Sequence, residues 1–265
     1  IIILNTSTGS GKGHYEFMLK QFFKYIFQSI AGMIGISVYI LADTFFISVH
    51  SGADGLAVLN LILPVYGVVY AIGAMIGIGS ATRFGINRAK GENTDHYFLQ
   101  SVFWSVLCSV PFIITGIFAP EKFLHLLGAD AGLTALGKSY LRIMLITTPL
   151  FMTNYTFTAF ARNDQGTSTA MTGAISASLF NIVFDYIFMF PMKLGFAGAA
   201  LATAISPAIT MAICTTHYLG KKNHVGFRWV RPSIRHLVSC CQLGISAFVG
   251  ELSSAIITII FNMLL

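Results

Sequence analysis

Long apolar runs separated by short polar breaks extend along almost the whole chain. From residue 22 onward the runs are Phe22 to Val49, Asp54 to Thr82, Tyr97 to Ala119, Leu133 to Phe160, Ser168 to Met192, Phe196 to Leu219 and Leu237 to Leu265. Each holds the roughly 20 mostly apolar residues that a helix needs to cross a bilayer. A membrane β-barrel would instead show alternating segments of about 10 residues, and these runs are continuous and longer. The pattern predicts an all-α polytopic membrane protein. The chain opens on apolar Ile1 to Leu4 and then turns polar from Asn5 to Gly13, the reverse of a secretory signal. It closes inside an apolar run, so both ends read as the limits of a fragment, with further helices expected beyond.

Composition agrees. Hydrophobic residues make up 55% of the chain and charged residues 10%, against about 25% charged in a typical soluble domain. The formal net charge of +6 would suggest nucleic acid in a soluble protein. Here the basic residues lie between apolar runs, so the charge is read as membrane topology and no nucleic-acid partner is expected. With the N-terminus in the cytoplasm of a prokaryotic plasma membrane, most of the 16 lysines and arginines fall on the inner side. They are Lys12, Lys20, Lys24, Arg83, Arg88, Lys90, Arg162, Lys221, Lys222, Arg228, Arg231 and Arg235. Only Lys122, Lys138 and Lys193 fall outside, and Arg142 lies within a run. This is the positive-inside bias.

The stretch from Gly220 to His236 is both basic and aromatic, and reads as a linker on the anionic inner leaflet. It divides the chain into a polar N-terminal segment (1–19), a six-helix lobe (20–219), the linker (220–236) and a seventh helix (237–265). Gly73 and Gly77 form a G-x-x-x-G, and Gly198, Ala199, Ala202 and Ser206 line another run, both suited to close helix packing. Pro111, Pro149 and Pro207 are candidate kinks.

Candidate chemistry lies in the acids that should not be in a membrane. A carboxylate in the hydrocarbon core costs about 2.5 kcal/mol or more. Asp43 and Asp185 each lie within an apolar run, without a Lys or Arg beside them in sequence. Asn181 and Asp185 are four apart and share a helix face. Together they could ligate Na⁺ or hold a proton, with Thr203 adding a hydroxyl. The plainer alternative is interhelical hydrogen bonding. Glu251 is a further acid in the last run.

Other patterns fall short. Gly9 to Gly13 resembles a phosphate loop but has Thr6 where its first Gly belongs and Gly13 where Ser or Thr belongs. His125 and Asp130 fit H-x-x-x-x-D without any second motif. The four cysteines form no C-x-x-C pair, the histidines have no metal spacing, and no nucleophile and base stand paired. No enzyme activity and no organic cofactor are expected.

Several stretches, in order, resemble the multidrug and toxic compound extrusion family. They are Leu41-Ala42-Asp43-Thr44-Phe45-Phe46, Gly52-Ala53-Asp54-Gly55-Leu56-Ala57, Leu63-Pro64-Val65, Gly77-Ile78-Gly79-Ser80-Ala81 and Arg88-Ala89-Lys90-Gly91-Glu92. They continue with Leu127-Gly128-Ala129, Tyr140-Leu141-Arg142-Ile143, Phe160 to Gly166, Asn181 to Asp185, and Gly198 to Thr203. The order is most similar to the prokaryotic branch of DNA-damage-inducible transporters.

The resemblance implies twelve helices in two lobes around a central cavity, and export of cationic amphipathic drugs against H⁺ or Na⁺. This chain would supply the six-helix N-lobe and the start of a seventh helix. It also implies that Asp43, Asn181, Asp185 and Thr203 form the cation site, Na⁺ included, with Glu251 as a second acid. Tyr39, Phe151, Asn154 and Tyr155, with Phe157, Met33 and Met152, are expected to line the drug cavity. The first run lacks the proline at which some relatives bend, leaving Gly32 and Gly35 to supply any bend. A flippase of lipid-linked oligosaccharides, with Arg142 as the one intramembrane cation available to it, and a non-transporting fragment are the alternatives.

Overall fold

The computed structural model describes residues 11–221 and 223–264. Residues 1–10, Lys222 and Leu265 lie outside the described residues, so the opening apolar stretch and the Gly9-Ser10 start of the loop-like motif do too. Eight helices make up the described residues: α1 (Gly11–Ala89), α2 (Tyr97–Phe118), α3 (Pro120–Leu126), α4 (Ala131–Ile146), α5 (Thr148–Asn163), α6 (Thr167–Met189), α7 (Phe196–Tyr218) and α8 (Ile234–Leu264).

α1 is two rods. They meet at Gly52, whose φ of 61° and ψ of −147° are not helical. Only glycine adopts that conformation without strain, so the break falls between the first two apolar runs. The apolar stretch from Ile26 to Ala89 is 64 residues. At 1.5 Å per residue it would reach about 96 Å as one rod, far more than the roughly 30 Å hydrocarbon core.

The run from Leu133 to Phe160 departs from expectation, because it is divided into α4 and α5. The division falls at Thr147-Thr148-Pro149. Pro149 has no N–H to continue the helix. Thr147 Oγ1 donates to the Ile143 carbonyl at 2.8 Å, and Thr148 Oγ1 to the Leu145 carbonyl at 2.7 Å. The Thr148 hydroxyl thus serves the Leu145 carbonyl that Pro149 cannot, while the Ile143 carbonyl also keeps the Thr147 N–H at 3.0 Å. α4 starts on Asp130, whose Oδ1 accepts from the Leu133 N–H at 2.8 Å, an N-cap. His125 Nδ1 lies 3.0 Å from the Ala129 carbonyl. The two residues of the H-x-x-x-x-D pattern are therefore occupied in local turn and cap contacts. α3 was not expected; it starts on Pro120 just after the apolar run ends. α8 begins at Ile234, so Arg235 and His236 belong to its first turn rather than to the linker.

Large apolar side chains cover the outside of the bundle as well as filling its cores. Phe27 is 71% exposed, and Ile175, Leu179 and Val183 form an exposed stripe along α6. Gln100, Ser101, Ser105 and Ser109 of α2 point inward and are buried, as are Thr153 and Thr156 of α5. Ser101 and Thr156 share a hydrogen bond of 2.8 Å. A belt of large apolar side chains around a polar-flecked interior suits lipid, not water, as the solvent.

Glycines set the close contacts. A Cβ on Gly73 would stand 2.9 Å from Met152 Cα, and one on Gly77 would stand 2.6 Å from the Thr156 nitrogen. The G-x-x-x-G is thus the seat of α5 on the second rod of α1. Gly79 meets the Cys240 carbonyl and Gly244 the Met75 carbonyl in the same way, which seats α8 against that rod. The four cysteines, Cys108, Cys214, Cys240 and Cys241, are free.

Candidate ion and substrate site

Helix packing gathers the acids and their partners. The first rod of α1 carries Asp43, α6 carries Asn181 and Asp185, and α7 carries Thr203. α6 packs against both α1 and α7. Asp185 and Asn181 are 0% exposed and Asp43 is 8% exposed. With its nitrogen toward Asp185, the Asn181 amide donates to Asp185 Oδ2 at 3.0 Å. Its oxygen then accepts from the Thr203 hydroxyl and the Thr203 N–H, both at 3.2 Å. The reverse orientation keeps only a 3.2 Å bond from Nδ2 to Thr203 Oγ1 and faces the amide oxygen toward acceptors. The first arrangement satisfies both ends of the amide and links α6 to α7.

That bond uses one oxygen of Asp185. Its other oxygen, Oδ1, is buried without a hydrogen-bond partner, and so is Asp43 Oδ1. Asp43 and Asp185 lie within electrostatic reach of each other. Two carboxylates without a cationic partner, in an apolar bundle, are stable only if a proton or a bound cation offsets their charge. The two carboxylates offer oxygen donors, as a hard cation requires, while the Asn181 amide oxygen is engaged by Thr203. Among the described residues no group of three His, Cys, Asp or Glu side chains could hold a metal ion.

An aromatic wall adjoins the acids. Tyr66 and Tyr70 sit four apart on the second rod of α1, and Phe151 and Tyr155 sit four apart on α5. Tyr66 lies 5.7 Å and Tyr70 lies 5.9 Å from Phe151, ring to ring, while Tyr70 and Tyr155 are 6.1 Å apart. The Tyr66 and Tyr140 hydroxyls are 3.3 Å apart. Tyr39, one turn from Asp43, lies within electrostatic reach of Asp43, Asp185 and Tyr155. Tyr155 donates from its hydroxyl to Glu251 Oε1 at 2.9 Å. That bond brings Glu251 of α8 to the wall and joins α5 to α8.

The expected residues do not all meet. Tyr39, Phe151, Tyr155 and Glu251 converge, and Asn154, next to Tyr155, has a buried side-chain oxygen without a partner. Met152 is wholly buried where α5 seats on Gly73. Phe157 packs against Phe98 and Tyr218 at 5.1 and 5.9 Å, in a second core. Met33 is exposed on the outer surface of the first rod. These three stand apart from the wall because successive turns of α5 and α1 turn them to other faces. Arg142 is exposed on α4, within reach of Glu121 on α3. Tyr66, Tyr70 and Tyr140 were not anticipated; the i, i+4 spacing of Tyr66 and Tyr70, matched by Phe151 and Tyr155, is the signal that could have found them.

A separate polar cluster sits where the linker joins the bundle. Asp164, at the end of α5, has a fully buried side chain. It accepts from Arg88 Nη1 at 2.6 Å and from the His224 N–H at 2.9 Å, with His217 Nε2 and His224 Nδ1 each 3.1 Å from its oxygens. The Arg228 N–H donates to the Asp95 carbonyl at 3.0 Å. Phe227 packs on Phe98 at 5.2 Å, and Trp229 on Phe103 at 5.7 Å. The linker is thereby clasped to the helices that precede it.

Comparison with known proteins agrees with this architecture. The MatE family model matches residues 29–187, more than half of the chain. A multidrug export protein of Staphylococcus saprophyticus, MepA, is 28% identical over 261 residues, covering 95% of this chain and 57% of that protein. The structure of a MATE multidrug transporter, DinF-BH, in complex with rhodamine 6G superposes with a TM-score of 0.78 at 24% identity. It covers 90% of this chain and 55% of the other. A MATE crystal structure in the bent conformation gives a TM-score of 0.74 at 27% identity, over 88% and 53% of the two chains. The chain therefore spans about half the length of the relatives it matches. On the matched segment, the fold and the bundle of lipid-facing helices, this chain is a multi-pass membrane protein belonging to the MatE family of multidrug and toxic compound extrusion transporters.

Proposed function

We propose that this chain supplies the N-terminal lobe of a secondary active exporter that moves cationic amphipathic compounds outward in exchange for H⁺ or Na⁺. One observation carries the reading: two buried carboxylates, Asp43 and Asp185, each with an oxygen that no protein group satisfies. An inward-moving proton or sodium ion meets that need, with Asn181 and Thr203 holding the geometry. When the cation is bound, the negative field that attracts a cationic drug is cancelled. When it leaves, the field returns. The aromatic wall of Tyr66, Tyr70, Phe151 and Tyr155, with Tyr39 and Glu251, offers faces for cation–π contact with a drug. The names of the relatives, a multidrug export protein and a MATE multidrug transporter bound to rhodamine 6G, support the substrate class.

The basic residues support an N-terminus in the cytoplasm of a prokaryotic plasma membrane. The division into a lobe (20–219), a linker from residue 220 and a seventh crossing in α8 follows the same reading, and so does a second lobe that completes the cavity. The order of motifs favours the DNA-damage-inducible branch. Transport of this kind needs a coupling ion and no organic cofactor. Arg142, exposed and near Glu121, is poorly placed to meet a lipid-linked phosphate in a cavity, which counts against a flippase.

The test is ethidium efflux from exporter-deficient cells expressing the protein, under imposed Na⁺ or pH gradients. We expect efflux that stops when one of the two gradients is dissipated, which names the ion, and that falls to the empty-vector level in Asp43→Asn. Well-inserted protein that moves no cationic dye under either gradient would overturn the reading.

A further inference from the structure

The start of α2, the linker and the start of α8 border an open cavity of about 440 Å³ that the transport site does not use, with Arg231, Ser233 and Arg235 exposed at its rim. Its polar lining includes His96 and Gln100 from the α2 end, Arg231 and Ser233 from the linker, and Arg235 and His236 from α8. No carboxylate lines it; the acidic residues of the adjoining turn, Glu92 and Asp95, are outside the lining. Ser239, also in its wall, accepts a hydrogen bond from Arg83 of α1, so a third arginine reaches the same region. Among the described residues neither Arg231 nor Arg235 is in an ion pair. His236 Nε2 is buried with no hydrogen-bond partner in the chain. Burial holds the His96 imidazole below its ordinary value, with Asp95 opposing and Arg228 reinforcing the shift. The positive charge of the cavity is therefore that of its arginines.

We propose that this cavity binds a phosphate-bearing anion, with Arg231 and Arg235 as its charged donors and Ser233 and His236 completing the contacts. Paired guanidinium groups suit phosphate oxygens. The volume lies in the ordinary range for small-ligand sites, about 300–1,000 Å³. The location favours a phospholipid headgroup as the source. The cavity opens at the ends of two long apolar helices. Trp229, exposed and packed on Phe103, stands beside it, and tryptophans of that kind sit at headgroup depth. An anion held there would bridge the first lobe, the linker and α8, and so bear on how α8 is held against the bundle.

The experiment compares thermal unfolding of the purified protein in nanodiscs of phosphatidylcholine alone and with phosphatidylglycerol added, and in detergent with and without inorganic phosphate. Arg231→Gln and Arg235→Gln are made singly, and their unfolding in phosphatidylcholine is the folding control. The expected result is stabilisation by phosphatidylglycerol whose half-maximal lipid fraction rises about tenfold in each variant, the loss of one charge-assisted contact. Protection by inorganic phosphate at the same site, lost in the same variants, would support the anion site and make free phosphate its source. Equal stabilisation of wild type and both variants, or no stabilisation by either anion, would overturn the proposal.

Discussion

Asp185→Asn is expected to abolish drug efflux while leaving the protein inserted and folded. The substitution keeps the size of the side chain and an oxygen that can accept from the Asn181 amide, the 3.0 Å contact that joins the two residues. It removes the charge and the capacity to take up a proton or hold a sodium ion. A buried carboxylate with an unsatisfied oxygen is a cost to the fold, and replacing it with a neutral group of the same shape is neutral or stabilising by about 1 kcal/mol or more. Function and stability should therefore move in opposite directions. Dye efflux should drop to background, while the melting temperature in detergent should hold or rise. Efflux retained in this variant would remove Asp185 from the coupling site. A lower melting temperature with lost efflux would reassign it to interhelical bonding between α6 and α7.

The second large effect is expected at Asp164, far in sequence from its side-chain partners Arg88, His217 and His224. Its carboxylate is the one acceptor shared by Arg88, His217 and His224. Asp164→Ala leaves the half-buried Arg88 without its counter-charge. Breaking a wholly buried pair from one side costs about 3–5 kcal/mol; here Arg88 keeps 32% of its side chain in solvent, so the loss is smaller than that. The loss should be local as well as global, because two of the contacts come from His224 in the linker. We expect a lower melting temperature and faster tryptic cleavage after Arg228. Asp164→Asn, which keeps one acceptor oxygen, should fall between. Unchanged cleavage in Asp164→Ala would mean that the aromatic contacts of Phe227 and Trp229 alone hold the linker.

The two sites differ in how far the sequence announces them. Asp43 and Asp185 are visible because an acid inside an apolar run is costly enough to demand a reason. Asn181 is visible because four residues is one helical turn. The apolar runs themselves mark the helices, and the gap between Val49 and Asp54 marks the break in α1. The Asp164 cluster has no such local signal. Residues 88, 164, 217 and 224 meet only when three helix ends and the linker converge, and each residue taken alone is an ordinary polar residue near a helix end. The same is true of Tyr155 and Glu251, which lie on helices that packing alone brings face to face. The division of α4 from α5 was hidden for another reason. The run stays apolar through it, and its signal is the chemistry of Thr147, Thr148 and Pro149 rather than any change in hydropathy.

The apolar exterior has a calorimetric consequence. A soluble chain gains about 12–15 cal/mol/K of heat capacity per residue when it unfolds, mostly by hydrating apolar surface. Here Phe27, Leu179 and their neighbours already face outward in the folded state, and in a micelle or bilayer they stay in hydrocarbon when the bundle comes apart. The large apolar side chains that separate inside, among them Phe84, Phe160, Ile47, Ile62 and Leu141, pass from protein to hydrocarbon rather than to water, and the buried hydroxyls and amides contribute little or with the opposite sign. The stability curve of this lobe should therefore be nearly flat with temperature. Cooling would neither weaken it through a fading hydrophobic effect nor expose a cold-unfolding limb, because packing and hydrogen bonds, rather than escape from water, hold these helices together.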